Sequence, residues 1–407
     1  MSNILIGVTG SVAAYRMLDV TRGLTKAGHK VRVIITKGGM EFVRAEVFKY
    51  LGADAVYGPQ DDFKSWPGHD LPGPVLHINL AKWAERIVLA PLSANTLAKM
   101  AHGMADDLLC SVVLARRMAT PLLLYPAMNV LMWNNSVVQE NCQRLQKCPN
   151  VFLHPPMEGE LVCGDEGQGK LPSVETLLDT IPFAMPAKHV TKPAILISTG
   201  ATIVPLDPVR FLTNPSSGMT GFCLAQEAHR QGHPVTILHG RYSLDRIKNL
   251  RHLPGIKLLS LDTPHDFLNA VEHLWPEHAV YISAAAIGDI LFKDQWKGKL
   301  KKAMLPESLS ITKAPDVLAR ALQMKSPKQY LIGFAAETDL TEHILREKYN
   351  NKPVDLLIGT KVNQTSGFKV EHADYCFFEN GQVTFQGTLH KMALAQEILN
   401  KVNLWLN

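Results

Sequence analysis

Three stretches in the first half of the chain hold side chains able to move a proton or grip a carboxylate. His77 opens HINLAKW, Asn129 sits in PAMNVLMW, and Cys163 sits in ELVCGDEGQGKL. An imidazole changes charge near neutral pH, and an Asn amide donates and accepts at once, which suits a carboxylate or a flavin edge. Local spacing selects none of them. His77 adjoins an apolar helical face of Leu76, Leu80, Trp83 and Ala84, so it reads equally as a core or surface histidine, and Asn129 reads equally as a turn residue. Cys163 is open to four readings: metal ligand, redox partner, packing residue or acid.

A second group of residues has the chemistry to hold anions. GVTGSVAAYR, with Gly10 and Ser11, joins an apolar run to a helical pattern, where glycines let backbone N–H groups approach a phosphate at the positive end of a helix. A dinucleotide site would also place an acid at the end of the second strand for a ribose hydroxyl. That strand ends IITKGG, with Thr36 and Lys37, so a mononucleotide fits better than NAD. The second half repeats the test: ISTGAT is followed by a strand ending TILHGR, again without an acid. Between them runs LDPVRFLTNPSSGMTG, in which Arg210 can fork onto an oxyanion and Asn214, Ser216, Ser217 and Gly218 offer small polar groups and backbone donors. SSG also reads as the capped start of a helix, and Ser93 in APLSANTLAK reads equally as a cap.

These residues need elements to position them. The runs Ile4–Val8, Val31–Ile35, Ile87–Ala90 and Pro121–Tyr125 are short, apolar and continuous, with amphipathic helical patterns between them. Continuous apolar strands imply a parallel sheet covered on both faces, so the first half reads as doubly wound. PFAMPAKHVTKP loses periodicity and reads as a linker, dividing the chain into residues 1–181, a linker 182–193 and residues 194–407. Strands are expected at Ile195–Ser198, Val235–Leu238, Ala279–Ala284, Tyr330–Phe334 and Asp355–Gly359, with a helix around Phe222–His229, giving a second α/β unit.

Composition narrows the classes. At 407 residues the chain calls for roughly two or three domains. Its 42 basic and 37 acidic residues are spread without a long basic block, which argues against nucleic-acid binding. No apolar stretch reaches the roughly 18 residues of a membrane span, and the start MSNILIGVTG lacks a positive region before its apolar run, so a cytoplasmic protein is expected. The six cysteines form no C-x-x-C pair and no zinc spacing, which argues against the metal and disulfide readings of Cys163.

Taken in order, GVTGSVAAYR, HINLAKW, APLSANTLAK, GMADDLL, PAMNVLMW and LVCGDEGQGKL resemble the flavin-dependent phosphopantothenoylcysteine decarboxylases. STGAT, LDPVRFLTNPSSG, AAAIGD, KLKK, APDVL and GFAAET resemble phosphopantothenate-cysteine ligase. The order of halves is that of the bacterial bifunctional enzyme of coenzyme A synthesis. The resemblance implies a flavodoxin-like, doubly wound N-terminal domain of the flavin-binding cysteine decarboxylase type and a C-terminal Rossmann-like α/β ligase domain. It places FMN against Gly10, Ser11, Thr36, Ser93, Asn95 and Met104. It makes His77 the base or flavin-orienting residue and gives the departing carboxylate to Asn129. In this reading the substrate's cysteinyl thiol is oxidised to a thioaldehyde, which opens the way for carbon dioxide to leave. Cys163, on a glycine-hinged clamp, then protonates the ene-thiol, a role open to a thiol with an ordinary pKa of about 8.5.

For the second half the resemblance implies an acyl cytidylate made from CTP. Asn214 holds it, Arg210 lies on the same loop, and Lys299 assists its conversion. Ser217, Gly218, Ala285, Ala286, Phe334, Lys301 and Lys302 line the nucleotide site, and Asp289 contacts nucleotide or Mg²⁺. By local sequence alone Lys299, Lys301 and Lys302 read as a solvated basic loop. Departures from the family pattern gather here: Met219 stands where lysine is usual, Val204 where an acid is, Ile290 where an aromatic is common, and Gly359-Thr360-Lys361 replaces an Asn-containing turn. The competing readings are a decarboxylase with a degenerate ligase half, an inactive flavin-fold regulatory subunit, which the presence of His77, Asn129 and Cys163 disfavours, and a two-Rossmann dehydrogenase, which the missing ribose acids disfavour. The expected partners are 4'-phosphopantothenate, cysteine and CTP, with a homo-oligomer built from decarboxylase trimers and ligase dimers, up to a dodecamer.

Overall fold

The computed structural model describes residues 1–63, 75–160, 164–184, 191–363, 367 and 370–406. The chain forms two compact units, residues 1–187 and 188–407.

In the first unit β1 (Asn3–Val8), β2 (Lys30–Ile35), β3 (Ala55–Tyr57), β4 (Arg86–Leu92), β5 (Leu122–Pro126) and β6 (Val151–Leu153) form one sheet in the order β3-β2-β1-β4-β5-β6. Every pairing in it is parallel. Setting aside the short edge strand β3, this is the flavodoxin order. The continuous apolar runs are buried as expected: all seven residues of β4 and all five of β5 lie inside. The helix Arg16–Lys26 buries Met17, Val20, Thr21 and Leu24, the one-face spacing of an amphipathic helix. An antiparallel hairpin of β7 (Met157–Glu160) and β8 (Glu166–Lys170) follows β6.

The second unit begins with β9 (Ile195–Thr199), β10 (Ile203–Pro205), β11 (Phe211–Thr213), β12 (Val235–Gly240), β13 (Ile256–Leu261) and β14 (Val280–Ser283). It continues with β15 (Ile290–Phe292), β16 (Ile311–Lys313), β17 (Tyr330–Glu337), β18 (Leu356–Lys361), β19 (His372–Glu379) and β20 (Gln382–His390). The main sheet runs β13-β12-β9-β14-β17-β18-β19-β20. Its first six strands are parallel in the Rossmann order, and β19 and β20 add an antiparallel edge. That edge was not expected from the sequence. The edge strand β20 alternates exposed and half-buried residues, whereas the central β9 is buried throughout.

Each sheet reverses its winding once, between β1 and β4 and between β9 and β14, and ligands of open α/β sheets bind beyond the strand ends at such a point. Backbone and side chains draw the two loops together at both places. Thr9 Oγ1 donates to the Pro91 carbonyl (2.8 Å) and accepts from the Ser93 N–H (2.7 Å). In the second unit the Ala286 N–H donates to the Gly200 carbonyl (2.8 Å).

Candidate active sites

The first reversal point opens into a cleft of about 470 Å³. Its walls come from the loop after β1 (Gly10, Ser11), the start of the following helix (Arg16), the loop after β4 (Ser93), the loop after β5 (Met128, Asn129) and the hairpin (Glu160, Lys170). Gly10 makes a close approach: a Cβ there would lie 3.2 Å from the Cα of Gly38, so the loops after β1 and β2 meet backbone to backbone. The Arg16 guanidinium donates to the Leu171 carbonyl (2.8 Å) and holds the far wall.

Asn129 uses both ends of its amide. Oδ1 accepts from the Leu131 N–H (2.8 Å), capping the short helix Val130–Trp133, and Nδ2 donates to Asp165 Oδ2 (2.6 Å). The hairpin is tied to the same loop, since the Met128 N–H donates to the Gly169 carbonyl (3.1 Å) and Trp133 Nε1 to Gln168 Oε1 (3.2 Å). Cys163 lies outside the described residues. Of the described residues close to it in sequence, Glu160 lines the cleft and Asp165 is the partner of Asn129.

His77 is half-buried in the first turn of the helix Leu76–Trp83. Its Nδ1 lies 2.7 Å and 2.9 Å from the two carboxylate oxygens of Asp62, which also accepts from the His77 backbone N–H (3.0 Å). An ionised carboxylate accepts only, so this pair fixes the proton on Nδ1 and leaves Nε2 as the free ring nitrogen. Asp62 was missed in the sequence because it lies 15 residues from His77 with no helical or strand spacing between them.

The other expected flavin contacts are dispersed. Thr36 is buried and its hydroxyl caps the turn Lys37–Met40 by accepting from the Gly39 N–H (3.2 Å). Ser93 lines the cleft and also caps the helix Ala94–Ala101. Asn95 and Met104 are exposed and, like His77, lie off the lining of this cleft. Among the described residues one group could place three metal-ligating atoms together, Asp106, Asp107 and Cys110. Lys99 already pairs with Asp106 (2.6 Å), and burial, with Asp107 beside it, pushes the Cys110 thiol up to about 12.

The second reversal point carries a cleft of about 610 Å³. It brings together Asn214, Ser217, Gly218, Ala285, Ala286, Asp289 and Phe334 as the sequence led one to expect. Asn214 Nδ2 donates to the Ala286 carbonyl (3.3 Å), joining the two loops. Gly218 has φ +83°, a left-handed turn that leads into the helix Met219–Arg230, whose N-terminus has no side-chain cap. Asp289 is exposed on the rim and, among the described residues, has no second metal-ligating group converging with it, so a Mg²⁺ there would draw further ligands from substrate phosphates.

Four expected contacts lie elsewhere. Arg210 does not face this cleft: Nη2 and Nε donate to Asp207 Oδ2 (2.5 and 3.1 Å), and Nη2 also to the Leu300 carbonyl (2.7 Å). Asp207 is itself fixed by the Val209, Arg210 and Leu300 N–H groups, and the Arg210 guanidinium holds its carboxyl well below the usual range. Lys299, Lys301 and Lys302 are exposed on the loop that this cluster anchors, off the cleft lining. The lysines that do line the cleft are Lys348, paired with Glu337 (2.5 Å), Lys352, paired with Asp316, and Lys391. The sequence singled out none of them. Lys348 and Lys352 stand four positions apart on or beside one helix, Glu342–Asn351, which reads as an ordinary charged face.

Two doubly wound units, each with a cleft at its reversal point, define an α/β protein of the class that binds ligands beyond its strand ends. Residues 1–184 match the family model described as Flavoprotein, and residues 190–405 the one described as DNA/pantothenate metabolism flavoprotein C-terminal domain. Over 98% of its length the chain is 34% identical to the coenzyme A biosynthesis bifunctional protein CoaBC of Vibrio vulnificus strain YJ016, covering 96% of that protein. It is 32% identical to the protein of the same name from Bacillus subtilis strain 168, over 98% of this chain and 96% of that one. With the Escherichia coli K12 protein it shares 33% identity over 93% of this chain and 91% of that one. The chain belongs to the family of bifunctional coenzyme A biosynthesis proteins. It is a bifunctional enzyme of coenzyme A biosynthesis, a decarboxylase and a ligase. No helix among the described residues is long and apolar enough to cross a membrane.

Proposed function

We propose that residues 194–407 join 4'-phosphopantothenate to cysteine through a CTP-derived acyl cytidylate, and that residues 1–181 decarboxylate the product to 4'-phosphopantetheine with FMN, in the cytoplasm. The observation that carries the decarboxylase assignment is the 2.6 Å hydrogen bond from Asn129 Nδ2 to the Asp165 carboxylate. It supports a carboxylate-holding role, with the substrate's carboxylate taking the place of the Asp165 oxygen.

Bound FMN supplies a two-electron acceptor for the substrate thiol and later returns the electrons. Gly10, Ser11 and Ser93 would hold it. Asn129 fixes the carboxylate that leaves, His77 presents Nε2 because Asp62 occupies Nδ1, and Cys163 protonates the ene-thiol. His77, Asn95 and Met104 lie off the cleft that contains Asn129. This favours a site completed by a second copy of the chain, as in a trimer-based assembly with dimeric ligase units.

In the ligase half the carboxylate of phosphopantothenate attacks the α-phosphorus of CTP, pyrophosphate leaves, and the cysteine amine then displaces CMP. Asn214, Ser217, Gly218 and Phe334 line the nucleotide cleft, Lys348 and Lys352 add positive charge to it, and Asp289 with substrate phosphates would hold Mg²⁺. Lys299 lies off this cleft, on the loop that Arg210 and Asp207 anchor, so a part for it in the conversion requires that loop to move toward the cleft.

The test is to incubate the protein with 4'-phosphopantothenate, cysteine, Mg²⁺ and CTP and follow products by mass spectrometry. Phosphopantetheine is expected. Decarboxylation of supplied phosphopantothenoylcysteine without amide synthesis would confine activity to the flavin half and assign Met219 and its neighbours to a lost or altered ligase.

A further inference from the structure

Lys391 is the first residue of the helix Lys391–Leu406 and is only 4% exposed, yet it lines the second cleft. Buried lysines are rare unless an anion offsets their desolvation. The other two lysines of the cleft have such partners, Glu337 for Lys348 and Asp316 for Lys352. Among the described residues Lys391 has no carboxylate partner. Burial lowers its pKa, and the neighbouring Cys223 thiol only partly opposes that.

What faces Lys391 is also short of negative charge. Cys223 belongs to the helix Met219–Arg230, whose first backbone N–H groups open into the same cleft without a side-chain cap. Helix N–H groups and an unpaired ammonium at one end of a cleft together form a site for a multiply charged oxyanion. Met219, at the head of that helix, contributes no charge.

We propose that Lys391 is the phosphate anchor of the ligase cleft: its ammonium and the N–H groups at the head of the helix Met219–Arg230 bind one phosphate group of a substrate. Lys391 thereby supplies from the C-terminal helix the cation that Met219 does not. This rests on the ligase reading. The phosphate belongs either to the nucleoside triphosphate or to phosphopantothenate, which share the same chemistry.

The test compares the full-length protein with Lys391→Met, which keeps the length and apolar stem and removes the charge. Thermal unfolding is followed alone, with CTP and Mg²⁺, and with 4'-phosphopantothenate, and the KM of each substrate is measured. Lys391→Met is expected to unfold no earlier than the parent without ligand, because a desolvated charge has been removed. It should also raise KM by about 10- to 100-fold for one of the two phosphorylated substrates, whose stabilising shift is lost. A rise for CTP alone assigns the triphosphate, and a rise for phosphopantothenate alone assigns its phosphate. An earlier unfolding of Lys391→Met with both KM values and both shifts unchanged would make Lys391 a structural lysine and overturn the proposal. If Lys391→Met does not fold, Lys391→Gln is measured against the same outcomes. If the parent protein itself shows neither ligand shift, the ligase reading falls and this proposal with it.

Discussion

Replacing Asp62 by Asn changes one atom of the pair that orients His77, and it is the most local test of the decarboxylase site. An amide oxygen can still accept from Nδ1–H, but the amide NH₂ can turn to the ring and favour the other tautomer. Because positioned acid–base groups contribute about 10²- to 10⁴-fold, Asp62→Asn is expected to lower the decarboxylation kcat by about 10²-fold. It should leave KM nearly unchanged and shift the pH profile of kcat, while CTP-dependent amide formation continues at the parent rate. Steady-state kinetics of the two half-reactions check this. A loss of both activities would point to misfolding instead. The same residue shows where local reading stops: HINLAKW marks His77 as a candidate, but nothing in DDF ties Asp62 to it until the chain folds the two together.

In the hairpin of β7 and β8, glycine is a conformational requirement. Gly167 has φ +146°, and a Cβ there would lie 2.8 Å from Val130 Cγ2. Gly167→Ala is therefore expected to cost about 1–3 kcal/mol and to loosen the Asp165–Asn129 contact. The readouts are the melting of the flavin half and a reduced decarboxylation kcat. In the ligase half, Asp207 joins the loop after β10 to Leu300 through Arg210. Its carboxyl is held below the usual range chiefly by the Arg210 hydrogen bond, so its stabilising effect is present above the unfolded pKa, about 3.9. That effect is lost as pH falls through the lower folded value. Asp207→Asn should lower the melting temperature of the ligase half at neutral pH, and the gap to the parent should narrow as pH falls below about 4. A gap independent of pH would remove the Arg210 ion pair as its cause.

For the molecule as a whole, the shared flavin site proposed above calls for an assembly in which neighbouring chains meet at the Asn129 cleft, whose lining in one chain lacks His77, Asn95 and Met104. Light scattering of the flavin-loaded protein is expected to give a mass that is a multiple of three chains, twelve being the largest expected. A stable monomer that still decarboxylates would overturn the shared site. Both parallel sheets were legible in advance, because strands covered on both faces must be apolar along their whole length, as β4 and β9 are. The antiparallel edge of β19 and β20 was not: QVTFQGTLH carries the period-two alternation of a half-buried strand, but the expected strands were continuous apolar runs, the pattern of a sheet covered on both faces. The amino-acid order settles the two α/β halves and the loops that line each cleft, since short-range periodicity and glycine placement encode them, and its motifs carry the resemblance to the family. Long-range packing alone turns Arg210 away onto Asp207, sets Asp62 against His77 and buries Lys391 at the second cleft. Those placements depend on which distant polar groups meet and which are left to be matched by a ligand, and no spacing along the chain specifies that.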